Sequence, residues 1–209
     1  MSGARPRSSL AAKAASVPEQ RRGAPRMGAR EVRIIGGDWK RSKLPVADKP
    51  GLRPTPDRVR ETLFNWLGQT LEGWRVLDAF AGSGALGFEA ASRAATEVLL
   101  LERDPQLARS LQASAQRLKA TNIRVECTDA IGWMSRQAAP AFELVLLDPP
   151  FDLNLFLPAL KAAVPLLAPG GLIYLEAGEL IEAPADLGLE PLRSGRAGAV
   201  HFQLLRRSG

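Results

Sequence analysis

Cysteine and histidine are almost missing from this sequence: Cys127 and His201 are the single examples of each in 209 residues. One cysteine closes no internal disulfide, and one cysteine with one histidine builds no zinc cluster of the usual spacing. These absences predict a protein of a reducing, cytoplasmic compartment without a structural metal. Long apolar runs are missing too. The longest uncharged stretch of the second half, Ala162 to Leu175, has 14 residues and is broken by Pro165, Pro169, Gly170 and Gly171. A membrane helix needs roughly 20 apolar residues, so no span is expected. The basic N-terminus lacks the continuous apolar core of a secretory signal, because Lys13 and Ser16 interrupt Leu10 to Val17.

Charge is present but unevenly placed. Residues 1–62 hold 15 Lys and Arg against 6 Asp and Glu, and residues 63–209 hold 13 against 16. A basic front end on a neutral-to-acidic body suggests a polyanion met by one region, with nucleic acid first; a solvated tail gives the same pattern. Residues 1–30 are rich in Ala, Arg, Ser and Pro, carry Glu19 as their one acid and have no aromatic side chain. They read as a disordered basic arm. A Ser- and Arg-rich, acid-poor start also fits an organelle transit peptide, and a bacterial extension equally well.

The length allows one full domain and a small appendage. Residues 31–72 read as a hairpin and a helix. Strand-like Glu31–Ile35 and Leu44–Val46 flank Gly36-Gly37 and a basic tip, Lys40, Arg41 and Lys43. Thr55 as N-cap, Pro56 at N1 and Asp57 in the first turn then start a helix with Val59, Leu63, Trp66 and Leu67 on its apolar face. From 73 to 209 short apolar runs alternate with helical segments. Strands are predicted at 75–79, 97–102, 123–127, 143–147 and 172–176, with helices near 85–94, 105–119, 130–137 and 154–167. Near-continuous Val/Leu/Ile strands between helices are the mark of an α/β doubly wound, mostly parallel sheet. Leu189–Leu192 and Ala199–Arg206, around Gly195 and Gly198, add a C-terminal antiparallel hairpin at the sheet edge.

The first of these core strands runs into Asp78-Ala-Phe80-Ala-Gly82-Ser83-Gly84-Ala-Leu-Gly87, a G-x-G-x-x-G turn between strand and helix. Its glycines permit the tight turn and close ligand approach, and the helix N-terminus offers free N–H groups. A dinucleotide and S-adenosylmethionine (SAM) both fit such a loop, and Glu102, closing the next strand, can hold ribose hydroxyls in either. Asp78 favours SAM, because a carboxylate before the turn repels a pyrophosphate and pairs with an ammonium. Asp129 and Ala130 follow the third strand, where an adenine edge could be read. The fourth ends in Asp148-Pro149-Pro150-Phe151, beside the same crevice. An exocyclic base amine is a poor nucleophile because its lone pair is conjugated. Accepting its hydrogens on Asp148 and the Pro149 carbonyl would localise that lone pair, with Phe151 stacking on a flipped base. Cys127 is expected to be a small buried apolar residue, and His201 structural.

DAFAGSGALG, LERD, DPPF, RIIGGDWKRSKLPV and GLRPTPDRVRETLFNWL together resemble the bacterial RsmD family over residues 32–206. That resemblance implies a SAM-dependent methyltransferase with a Rossmann-like fold acting on guanine N2 of 16S ribosomal RNA, at guanine 966, in the small subunit or an assembly intermediate. It places Asp78, Gly82 and Gly84 at the methionine end of SAM, Glu102 at the ribose and Asp129 with Ala130 at the adenine, with Phe80, Ser83 and Thr55 as further cofactor contacts. Asp148, Pro149, Pro150 and Phe151 would receive the guanine. Arg33, Lys40, Arg41, Lys43, Arg53, Arg58 and Arg60 would meet RNA. With no heptad repeat or long apolar edge in the sequence, a monomer is expected. Methylation of DNA adenine or cytosine, another RNA or a protein glutamine stays open on the residues themselves, as do a dinucleotide oxidoreductase and a non-catalytic ribosome-assembly role.

Overall fold

The computed structural model describes residues 1, 30–49, 54–137, 139–150 and 154–208. Most of the expected arm, together with Arg53 and Phe151, lies outside the described residues. The chain opens with an antiparallel hairpin, β1 (Arg30–Arg33) and β2 (Lys43–Val46), in which Arg33 pairs with Lys43. Helix α1 (Asp57–Leu67) follows. Then come β3 (Arg75–Asp78), α2 (Ala85–Ser92), β4 (Glu97–Glu102), α3 (Pro105–Leu118), β5 (Ile123–Cys127), α4 (Ala130–Ser135), β6 (Phe142–Leu147) and α5 (Phe156–Ala163). Strands β7 (Leu167–Ala177), β8 (Leu189–Ala197) and β9 (Val200–Arg207) complete the molecule.

The main sheet has seven strands in the order β5-β4-β3-β6-β7-β9-β8. β3 to β7 run parallel, and β9 and β8 are antiparallel. The order reverses between β3 and β6, which opens a crevice at their carboxyl ends, where α/β sheets bind ligands. Alternate strand residues face two separate cores. One face carries Val76, Leu100, Leu144, Leu146 and Tyr174 against Phe64, Phe88 and Leu111, so the hairpin, α1, α2 and α3 cover it. The other carries Leu77, Leu101, Val145, Leu147 and Leu175 against Met134 and Leu160, under α4 and α5. Helix α2 is buried along its whole length, and a Cβ at Gly87 would come within 2.2 Å of Leu100 Cδ2. The third glycine of the loop motif is therefore what lets this helix lie against the sheet.

Several expected boundaries move. Thr55 is not the N-cap: Pro56 occupies that position without a side-chain cap, and its carbonyl accepts from Val59 and Arg60. The Thr55 hydroxyl is turned inward to Glu176 instead. The helix expected to reach 167 ends at Ala163 and tightens into a 3-10 turn, Val164–Leu166, because Pro165 has no N–H to continue the ladder. β7 then starts early, pairing Leu167 with Phe142 before a register shift across Pro169-Gly170-Gly171. Cys127 is exposed rather than buried, since it ends β5, the edge strand of the sheet.

Candidate active site

Strands β3 and β4 finish on a carboxylate, Asp78 and Glu102, β6 runs directly into Asp148, and β7 carries Glu176 one residue before its end. Their neighbours fix which face they share. Asp78 pairs with Leu100 and Leu146, and Leu147 pairs with Leu175, so Asp148 stands beside Glu176 in the continued register. Glu102, Asp148 and Glu176 stand two positions after Leu100, Leu146 and Tyr174, and so on the same strand face. All four acids therefore emerge on the α1/α2 face of the sheet, at the crevice.

Each is held differently. Asp78 Oδ2 accepts the Gly87 N–H at 2.9 Å and the side chain is almost wholly enclosed. Burial pushes its carboxyl up to about 7 against the Gly87 hydrogen bond, and the charges of Glu102 and Glu176 add to the rise. Glu102 Oε2 accepts from Gly82 N at 2.9 Å and Oε1 from Asp104 N at 2.8 Å, which fixes both oxygens under the loop. Asp148 keeps a part-exposed side, yet desolvation, then the charges of Glu176 and Asp78, hold its carboxyl well above the ordinary range. Glu176 is 3% exposed. Burial raises its carboxyl, and hydrogen bonds from Thr55 and Tyr174, with the charge of Arg60, oppose the rise. The Tyr174 hydroxyl lies 3.0 Å from Glu176 Oε1, and its own ionisation is pushed up by burial and the acids beside it.

The loop above these acids turns through Gly82 at φ 52° and Gly84 at φ 79°, left-handed values that favour glycine. At Gly84 a Cβ would also strike Phe88 and Leu111. Phe80, Gly82 and Ser83 stay partly open. Across the crevice, Asp129 caps α4 by accepting Gly132 N at 2.6 Å, with Ala130 buried behind it. Pro149 is buried and Pro150 exposed. Four carboxylates, three of them raised by burial, with few cations among them form a site short of positive charge, which suits a cationic ligand and disfavours a pyrophosphate.

The basic residues expected to meet RNA separate into two groups. Arg33, Lys40, Arg41, Lys43 and Arg58 are exposed, and Lys43 pairs with Glu31 at 2.7 Å. Arg60 is withdrawn from that group: it is 0% exposed, and its guanidinium donates to Asp57, Glu89 and the carbonyls of Thr55 and Arg33. A phosphate cannot reach it. The hairpin tip also lies away from the crevice. Asp38 N and Trp39 N donate to Ser92 at the C-terminal end of α2, about 12 Å along that helix from the loop.

Sequence reasoning assigned nothing to Glu89 and no role to Glu176. Glu89 is fully buried and receives Ile35 N at 2.7 Å, Gly36 N at 2.8 Å, Arg93 and Arg60. It pins the hairpin, α1 and α2 together, which accounts for RIIGG and DRVRE as packing: a Cβ at Gly37 would lie 1.7 Å from Ser92 O. Glu89 left no trace beyond an acid inside an apolar helix. Glu176 did leave one, because apolar strands that repeatedly end on an acid mark a shared crevice.

Comparison with known proteins gives a consistent result. The family model "Conserved hypothetical protein 95" matches residues 32–206. Ribosomal RNA small subunit methyltransferase D of Escherichia coli is 41% identical over 187 residues, covering 86% of this chain and 92% of that protein. Its Haemophilus influenzae namesake is 46% identical over 151 residues, 70% of this chain and 78% of that one. Among solved structures, the yhhF protein of Escherichia coli, assigned as a methyltransferase, superposes with a TM-score of 0.77 at 38% identity, over 86% of this chain and 99% of that chain. The Thermus thermophilus 16S rRNA N2 G1207 methyltransferase RsmC, solved with AdoMet and guanosine, shares the fold at TM-score 0.66 and 21% identity, over 87% of this chain and 50% of that chain. With the loop, the acids and the Asp-Pro-Pro turn all in place within the matched residues, the chain belongs to the RsmD family.

Proposed function

We propose that this protein transfers a methyl group from SAM to the exocyclic N2 amine of a guanine in 16S ribosomal RNA, at guanine 966 by family likeness, acting as a monomer on the small subunit or its assembly intermediate. The observation that carries the reading is the set of four carboxylates on one sheet face beside the Gly82–Gly84 loop and the Asp148-Pro149 turn. It favours a cationic cofactor over a dinucleotide, so the donor set fits SAM.

SAM, when bound, supplies an electrophilic methyl on a positive sulfur and leaves as a neutral thioether. Asp78 would face the ammonium of its methionine end, with Gly82 and Gly84 giving the backbone approach and Phe80 and Ser83 the open wall. Glu102, its orientation fixed by two backbone N–H groups, would accept from the ribose hydroxyls. Asp129 and Ala130 would border the adenine, and Thr55 would close the site from above. Asp148 and the Pro149 carbonyl would accept the amine hydrogens and hold the lone pair toward the methyl, and Asp148 would receive the proton released once the nitrogen is alkylated. Pro150 stiffens that turn, and Phe151 would stack on the base. The segment 31–72 serves as an extension carrying exposed cations, of which Arg33, Lys40, Arg41, Lys43, Arg53 and Arg58 would track phosphates.

The test is transfer of labelled methyl from SAM to small subunits isolated from a strain lacking the gene, with the product base identified by nuclease digestion and mass spectrometry. N2-methylguanine at one position is the expected result. Label on DNA or protein instead, or no label on subunits and assembly intermediates, overturns the substrate.

A further inference from the structure

Glu176 stands immediately beside Asp148 in the parallel register of β6 and β7, and both of its described hydrogen-bond partners are hydroxyls, from Tyr174 and Thr55. Burying a carboxylate costs several kcal/mol unless cations or many donors offset it. Arg60, the cation whose charge reaches Glu176, has its hydrogen bonds committed elsewhere. It donates to Glu89 at 3.4 Å, Asp57 at 2.6 Å and the backbone carbonyls of Thr55 and Arg33 at 3.2 and 2.8 Å. A packing role alone would be served as well by glutamine, which accepts the same two hydroxyl hydrogen bonds without the charge.

We infer that Glu176 is a positioning residue that acts on methyl transfer through Asp148, supplying the fixed negative charge against which Asp148 takes up the amine proton. The inference rests on the proposed role of Asp148. Tyr174 and Thr55 both donate to Glu176 and so favour its ionised form. Asp148 has no such hydroxyl pair among its described contacts and is the member of the pair driven further toward holding a proton. The two carboxyls stand close enough to interact, and Asp148, without those donors, is the one that takes up a proton as the reaction proceeds. The other groups facing this pair are Asp78 on β3, which adds negative charge, and Arg60 on α1, which reduces it; on β9 the residue beside Glu176 is the uncharged Phe202. In the reaction the N2 lone pair forms the bond to the methyl carbon, the carbon–sulfur bond breaks with its electrons on sulfur, and the resulting N–H proton passes to Asp148. A fixed charge on Glu176 makes that last transfer more favourable and leaves Glu176 itself unchanged.

The experiment compares wild-type, Glu176→Gln, Glu176→Asp and Asp148→Asn proteins by kcat against pH with SAM and undermethylated small subunits. Glu176→Gln should move the acidic limb of kcat down by about one pH unit and lower the plateau by about tenfold, with little change in KM for the subunit. Glu176→Asp should restore the limb. A Glu176→Gln profile that superimposes on wild type, while Asp148→Asn is inactive, overturns the inference and leaves the reading of Asp148 standing. An active Asp148→Asn with an unaltered limb overturns that reading and the inference with it. Should Glu176→Gln fail to fold, Tyr174→Phe removes one donor, raises the proton affinity of Glu176 and should shift the limb the same way. An unshifted limb there counts against the inference.

Discussion

Replacing Glu89 by alanine should loosen the whole N-terminal third of the molecule. The carboxylate is fully buried and receives Ile35 N and Gly36 N at 2.7 and 2.8 Å, Arg93 at 2.9 Å and Arg60 at 3.4 Å. Its loss strands two part-buried amides, each costing up to about 1–3 kcal/mol. It also leaves two guanidinium groups under-partnered. Arg60 keeps Asp57, and Arg93 keeps Gln69 and the Phe64 ring 4.8 Å from its centre, so neither charge is wholly abandoned. Breaking a buried ion pair from one side costs about 3–5 kcal/mol. At about 2–4 °C per kcal/mol for a chain of this size, the melting temperature should fall by roughly 6–20 °C. Urea unfolding followed by tryptophan fluorescence gives the free energy, and hydrogen exchange at Ile35 and Gly36 locates it. A loss below about 1 kcal/mol, with both amides still protected, would refute the argument that Glu89 holds the hairpin on α2.

Asp78 makes free-protein stability depend on pH in an unusual direction. Its carboxyl titrates at about 7 in the fold and near 3.8 in the unfolded chain, so between those values the native state holds a proton that the unfolded state has released. Its contribution therefore declines as pH rises from about 4 to about 7 and is constant above, a loss on the order of 4 kcal/mol. Asp78→Asn keeps an acceptor for Gly87 and should melt higher than wild type at pH 8, match it at pH 4, and bind SAM more weakly by calorimetry; a lower melting temperature at pH 8 contradicts the assignment. Cys127, exposed at the end of β5 and two residues from Asp129, should react with a thiol reagent in the native state at one label per chain, and saturating SAM should slow it. Labelling only on unfolding would place that strand end differently.

The sequence by itself determined the α/β alternation, the strand cores, the loop with its left-handed glycines and the position of Asp148 at a strand end. These are local properties: apolar period, turn chemistry and the conformational freedom of glycine are set by residues a few positions apart. Tertiary structure alone decided which charges are free. Arg60 and Arg58 lie two residues apart on one helix, yet the first is buried among Glu89, Asp57 and two carbonyls while the second is exposed, and nothing in their spacing distinguishes a guanidinium that solvates from one that clamps. Thr55 looked like a cap and became a partner of Glu176 because the fold carries it 121 positions along the chain to the end of β7. Glu176 acquires its place from register. Its significance comes from standing next to Asp148, and strand neighbours that are distant in sequence are fixed only when the sheet closes and each apolar face finds its helices.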